Sequence, residues 1–200
     1  MNKRQFQKQK TRQHILKVAR QELIRNGFLN ATTAAIAQKA EVAHGTLFLH
    51  FKNKNMLILE ILDKELSEIN RSIQKVIVSA GDFEQMLLVY LNELQRSEDL
   101  FSVLARELPF YSPELRRMIL FRQSIIREHF HKFLTEKIAA GLYEKIKIPS
   151  ALNFFFGTLN YYLSLKNIFV KDSSVIEKFK TEIIETFLAI LTKREEMEDE

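Results

Sequence analysis

Thr33, His44, Thr46, His50, Lys52 and Lys54 bring hydroxyl, imidazole and ammonium groups into one short stretch, TTAAIAQKAEVAHGTLFLHFKNK, running from Thr32 to Lys54. Such groups donate hydrogen bonds to anionic oxygens and to base edges; they hold a polyanion rather than break a bond. Other reactive-looking side chains do not assemble. His129 and His131 bracket Phe130, and residues two apart on a helix point to different sides, so they make no chelating pair. Glu98-Asp99 and Asp63 with Glu65 read as helix starts and solvated faces. No Gly-rich phosphate loop, nucleophile elbow or zinc spacing occurs. No catalytic residue, metal or cofactor is expected, and the chain is not read as an enzyme.

Two short helical patterns hinged at Glu41-Val42-Ala43 must position the polar groups. Thr32 or Thr33 caps the first, which carries Ile36, Ala37 and Ala40 on its inner side. The second begins near Ala43-His44, with His44, Gly45 and Thr46 outward at its front. Ile36, Ala37, Ala40, Val42 and Leu47 can close a small core with Leu16, Ala19 and Leu23 of a preceding helix that Asn26-Gly27 stops. Short helix, tight turn, second short helix is the arrangement that places one helix in a DNA major groove. The charge agrees: residues 1–54 carry a net +9 and residues 55–200 a net −4, a basic head on a mildly acidic body.

The rest of the chain also reads as helix. Three prolines and five glycines leave few breaks in 200 residues. After Lys54, Leu59, Leu62, Leu66, Ile69, Ile73 and Val76 alternate steps of three and four, giving a long amphipathic helix that ends near Gly81. Asp82 with Gln85, Ser97, Ser112-Pro113-Glu114, Pro149 and Ser174 with Glu177 are start signals for five more. The expected fold is all-α, about nine helices, with a helix-turn-helix head at 1–53 and a helical bundle at 54–200. Cysteine is absent, the N-terminus has no apolar signal core, and the window from Ala151 to Leu165 is broken by Asn153, Gly157, Thr158 and Asn160. That window is shorter than the roughly 20 residues a membrane span needs. A cytoplasmic protein with no membrane partner is expected.

Two further surfaces are expected in the body. Phe154, Phe155 and Phe156 sweep about 200° of a helix. With Tyr161, Tyr162, Phe179, Ile183 and Phe187 they suggest a homodimer seam built from the last two helices, against the simpler reading of burial in one bundle. Phe83, Met86, Tyr90, Phe101, Phe110, Met118, Phe121 and Ile125 supply the bulky, adaptable groups of a pocket for a lipophilic small molecule, or else of an ordinary core.

T-R-x-x-I-L from Thr11, N-G-F from Asn26, T-T-x-x-I-A from Thr32 and G-T-L-F-L-H-F-K-N-K from Gly45 resemble the TetR family of bacterial transcription regulators. The resemblance covers the first quarter of the chain. It implies a homodimeric regulator, usually a repressor, that binds a double-stranded operator and is released by a small ligand. It also implies that Thr33, His50 and Lys54 contact phosphates and that His44, Gly45 and Thr46 lie near bases. Phe48 stands where the family usually has Tyr, so a phosphate-bonding hydroxyl is missing. Ala43 replaces a common Ser, losing a helix cap. Glu41 replaces the common turn Gly and must accept backbone strain of about 1 kcal/mol. Arg4, Lys8, Lys10 and Arg12 are expected to form a mobile basic arm. The rival reading is a non-enzymatic ligand-binding or scaffolding bundle whose basic head meets an acidic protein or an anionic membrane.

Overall fold

Helix α1 (Lys3–Asn30) starts from a capping box: Asn2 Oδ1 accepts the Arg4 N–H, and Gln5 Oε1 accepts the Asn2 N–H. The basic N-terminal stretch is therefore not a mobile arm. It forms the first turns of α1, because Lys, Arg and Gln are good helix formers and the box satisfies the end amides. The structure, a computed structural model, describes residues 2–192; residues 193–200 of the expected second unit lie outside the described residues. Ile15, Leu16, Ala19 and Leu23 make the buried face of α1. Gly27 breaks the helix at φ 82°, ψ 161°, and a further turn brings Phe28 into the core.

Thr32 caps α2 (Thr33–Lys39), its hydroxyl accepting the Ala35 N–H at 3.1 Å. The turn to α3 (His44–His50) puts Glu41 at φ 53°, the left-handed conformation expected of the residue replacing glycine. Ala43 provides no side-chain cap. Ile36, Ala37, Ala40 and Leu47 pack onto α1, and Phe51 closes the small core behind α3. Asn53 then caps α4 (Lys54–Val78), accepting the Met56 N–H at 2.9 Å.

The body is built on α4. It comprises α5 (Phe83–Arg96), α6 (Glu98–Glu107), a 3-10 turn at Leu108–Phe110, α7 (Pro113–Ala139), α8 (Ile148–Ser164), a one-turn α9 (Lys166–Phe169) and α10 (Val175–Leu191). The short α9, which the sequence reading did not separate from α8, brings the described residues to ten α-helices, without a strand. Helix α4 packs on α5 and α7, and α8 lies against α6, α7 and α10. Rings of Phe83, Tyr90, Phe130, Phe155, Phe156 and Phe187 fill the centre, with centroid separations of 5.0 Å (Phe155–Phe187) to 6.1 Å (Tyr90–Phe155) among their contacting pairs. Each such pair adds about 0.5–1.5 kcal/mol beyond the area it buries. Buried Glu98 accepts the N–H groups of Val175 and Ile176, fixing the start of α10 on α6. None of the described helices is long and apolar enough to cross a membrane.

Most of the aromatic arc of α8 is used inside the chain. Phe155, Phe156, Ile183 and Phe187 are buried in the core of the chain, although Phe155, Ile183 and Phe187 also line a groove between α8 and α10 with Phe154 and Tyr162. The reason is that α8 already packs on three neighbours, which take up the wide apolar arc. Phe154 at 51% exposure and Tyr161 remain outside, with Tyr162 stacked on Phe179 at 4.3 Å beside them.

Candidate nucleic-acid interface and bundle cavity

Leu47 pins α3 to the head, leaving His44, Gly45, Phe48, Leu49 and Lys52 exposed. Thr33 Oγ1 and His44 Nε2 lie 3.0 Å apart, joining the starts of α2 and α3, and the His44 ring meets Phe48 edge-on at 4.9 Å. Thr46 and His50 are half-buried on the flank of α3. The inner Nδ1 of His50 has no hydrogen-bond partner. Burial, with the charges of Arg12 and Lys8 adding to it, holds the imidazole pKa below its ordinary value. Lys54 Nζ donates to the Leu29 carbonyl at 3.1 Å, and burial lowers its pKa against the opposing charge of Glu107.

Several head cations are tied down by acids. Arg12 pairs with Glu60, donates to the His50 carbonyl and lies 4.3 Å over the Phe51 ring. Arg20 pairs with Glu65 at 2.8 Å and reaches Ser97 at 3.1 Å. Lys39 pairs with buried Glu22, whose carboxyl that hydrogen bond holds below its usual pKa against burial. These pairs orient α1 against α2, α4 and α6.

Glu107 makes a different link. Its buried carboxylate, at the end of α6, accepts the N–H groups of Phe28 (2.8 Å) and Leu29 (3.1 Å) in the last turn of α1. Tyr111 also donates to it, at 3.4 Å. One carboxylate thus couples α6 to the same turn that Lys54 grips from α4.

Inside the body a cavity of about 70 Å³ lies between α4, α5, α6, α7 and α8. Leu66, Ile69, Tyr90, Phe101, Leu104 and Phe156 are among its apolar lining, with Gln123, Arg127 and Asn160 as polar groups. That is well below the about 300–1,000 Å³ of a pocket for a drug-sized ligand. The Arg127 guanidinium sits 4.6 Å over Phe156 and donates to Asn153 Oδ1. Burial lowers its pKa, and the same desolvation raises that of Tyr90.

Residues 15–61, which hold α2, α3 and the start of α4, match the family model described as bacterial regulatory proteins, tetR family. This segment carries the TetR-family signature. The chain is 29% identical over 119 residues to the uncharacterized HTH-type transcriptional regulator YvkB of Bacillus subtilis, a match spanning 58% of this chain and 61% of that protein. It is 27% identical over 162 residues to the fatty acid metabolism regulator protein of the same organism, covering 77% and 82%. The crystal structure of FadR from Bacillus subtilis in complex with stearoyl-CoA superposes with a TM-score of 0.77 at 22% identity, over 89% of this chain and 98% of that one.

Within this fold the site residues expected from the sequence separate into groups. Thr33, His44, Gly45, Thr46, Phe48, His50 and Lys52 gather around α3, while Lys54 turns toward α1. Of the residues assigned to a lipophilic pocket, Tyr90 and Phe101 line the cavity. Phe83 and Met86 are buried outside the cavity lining. Phe110 (73%) and Phe121 (68%) are exposed, as are Met118 and Ile125. Helix α7 carries two apolar stripes, and Leu115, Ile119, Ile126 and Phe130 hold the inward one. Arg127, Glu107 and Leu49 were missed as site residues. No local motif marks Arg127 or Glu107, and Leu49 looks like any helical leucine.

Proposed function

We propose that this chain is a TetR-family, ligand-released repressor that binds a palindromic operator as a homodimer. The observation carrying the reading is the rigid presentation of α3: Leu47 is buried behind it, and a strongly basic head surrounds it. The DNA-facing groups are Thr33, His44, Gly45, Thr46, Phe48, His50 and Lys52. Lys54 reaches phosphate by exchanging the Leu29 carbonyl for it. Two subunits joined through the Phe154 and Tyr161 side of α8, with Tyr162 and Phe179, would set their α3 helices in successive major grooves, about 34 Å apart.

The proposed effector is an amphiphile with a long acyl chain and an anionic head. The support is the FadR likeness in complex with stearoyl-CoA, together with an apolar cavity bearing Arg127. The cavity is too small for such a chain as it stands, so binding has to part α4, α6, α7 or α8. Leu66 and Ile69 of α4 line it, and α4 begins at Lys54 beside the operator. A guest that favours the parted bundle therefore shifts the head. Moving the population from 1:99 to 99:1 takes about 5.5 kcal/mol of preference for the released form.

The test is competition binding. Full-length protein is titrated onto palindromic duplexes recovered from a random pool, with excess random DNA, with and without stearoyl-CoA. Selective binding that stearoyl-CoA weakens supports both parts. Binding indifferent to sequence favours a basic head that meets some other polyanion. Selective binding untouched by stearoyl-CoA removes this effector class alone.

A further inference from the structure

The centre of the exposed face of α3 carries no hydrogen-bonding side chain. Successive helical residues turn by about 100°, so Gly45 and Leu49 lie opposite buried Leu47, with Thr46 and His50 on one flank and His44 and Phe48 on the other. Exposure follows that geometry: Leu49 is 80% exposed and Phe48 43%. Nothing lies within 4 Å of where a Cβ on Gly45 would be, so the backbone there is open to close approach. The polar flank is partly engaged, since His44 is held by Thr33 and by the Phe48 ring.

A single exposed leucine is ordinary on a protein surface. This one projects beside an aromatic ring from the middle of a head with net charge +9, and charge complementarity selects duplex DNA as the occupant. Base edges in the major groove present donors, acceptors and one apolar group, the 5-methyl of thymine. We propose that Leu49, with Phe48 beside it, reads thymine methyl groups. Operator choice then depends on apolar contact at the centre of each half-site, with His44 and Thr46 acting at its margins. This inference rests on the DNA-binding reading above and adds how the sequence is read.

Thymine-to-uracil replacement removes that methyl and leaves every base-pairing group in place. Full-length protein is used to select a duplex from a random pool. Each thymine of the winner is then replaced singly by uracil, and affinity is measured by fluorescence anisotropy at fixed salt. Loss of one buried methyl contact corresponds to about a fourfold weakening. The expected result is such a loss at one or two thymines per half-site, shrinking to less than twofold in Leu49→Ala. Uracil indifference at every position overturns the methyl reading while leaving DNA binding intact, as does full uracil sensitivity in Leu49→Ala. Failure to select any duplex overturns both readings. Should Leu49→Ala lose its helical circular dichroism, Leu49→Met replaces it, and the uracil series on the unaltered protein still decides.

Discussion

Glu107 occupies the space that a Cβ on Gly27 would need. Gly27 is therefore required twice, by its backbone conformation and by this carboxylate. At φ 82°, ψ 161° it lies in a region essentially reserved for glycine, where another residue costs about 1–3 kcal/mol. Gly27→Ala should lower stability by at least that much and uncouple α1 from α6. Glu107→Gln keeps the shape and loses the charge-assisted bonds, for a smaller loss of about 1 kcal/mol. Thermal unfolding checks the order: if Gly27→Ala is as stable as the parent, the close approach has no energetic weight.

Lys54 must leave the Leu29 carbonyl to touch a phosphate. Lys54→Ala should weaken all duplexes alike and reduce the salt slope of binding by about one. An unchanged slope in a titration across salt concentrations would show that Lys54 stays on α1 in the complex.

His50 gives a pH dependence of fixed sign. Its folded pKa is lowered by burial, with Arg12 and Lys8 adding to the effect, below the ordinary 6.5. The unfolded chain therefore takes up the proton first. Stability from neutral His50 is present above pH 6.5 and is lost as pH falls from there through the lowered folded value. His129, shifted the same way by burial, then Lys132, with Glu128 opposing, contributes in the same direction. Urea midpoints at pH 7.5 and 5.5 should differ less in His50→Gln than in the parent. DNA affinity should move oppositely, rising as pH falls, because a phosphate favours the imidazolium.

Phe154→Glu tests the α8 surface. The side chain is exposed, so the fold should survive with a change within about 0.5 kcal/mol. Sedimentation should then show a parent dimer becoming monomer, with weaker operator binding. A parent that sediments as a monomer at micromolar concentration would remove the two-groove arrangement.

Arg127→Met keeps the length of the side chain and removes its charge. Affinity for an anionic acyl ligand should drop about tenfold or more, since charge-assisted bonds are worth about 1.5–3 kcal/mol. A neutral ligand of the same chain length should be unaffected. Calorimetry with stearoyl-CoA against a neutral acyl ester separates the two.

Helix positions were largely legible because their start signals are local: Thr32, Asp82, Ser112 and Ser174 each cap the helix that follows. The strain at Glu41 was legible through the family resemblance, because Glu41 stands where the family commonly has the turn Gly. Which apolar stripe faces inward was not. Met118, Phe121 and Ile125 are spaced as regularly as Leu115, Ile119 and Ile126, and only the packing of α4 and α8 on α7 chooses between them. The Glu107 link was also out of reach. It joins positions 78 and 79 residues apart through backbone amides, which leave no trace in side-chain patterns.

The near-filled bundle interior makes swelling part of any recognition event there. A guest is admitted only as fast as helices breathe, so association should be slow and steeply temperature-dependent however tight the final grip. On the proposed release mechanism, replacing Leu104 by a bulkier residue acts as a dummy occupant and lowers operator affinity before any ligand is added.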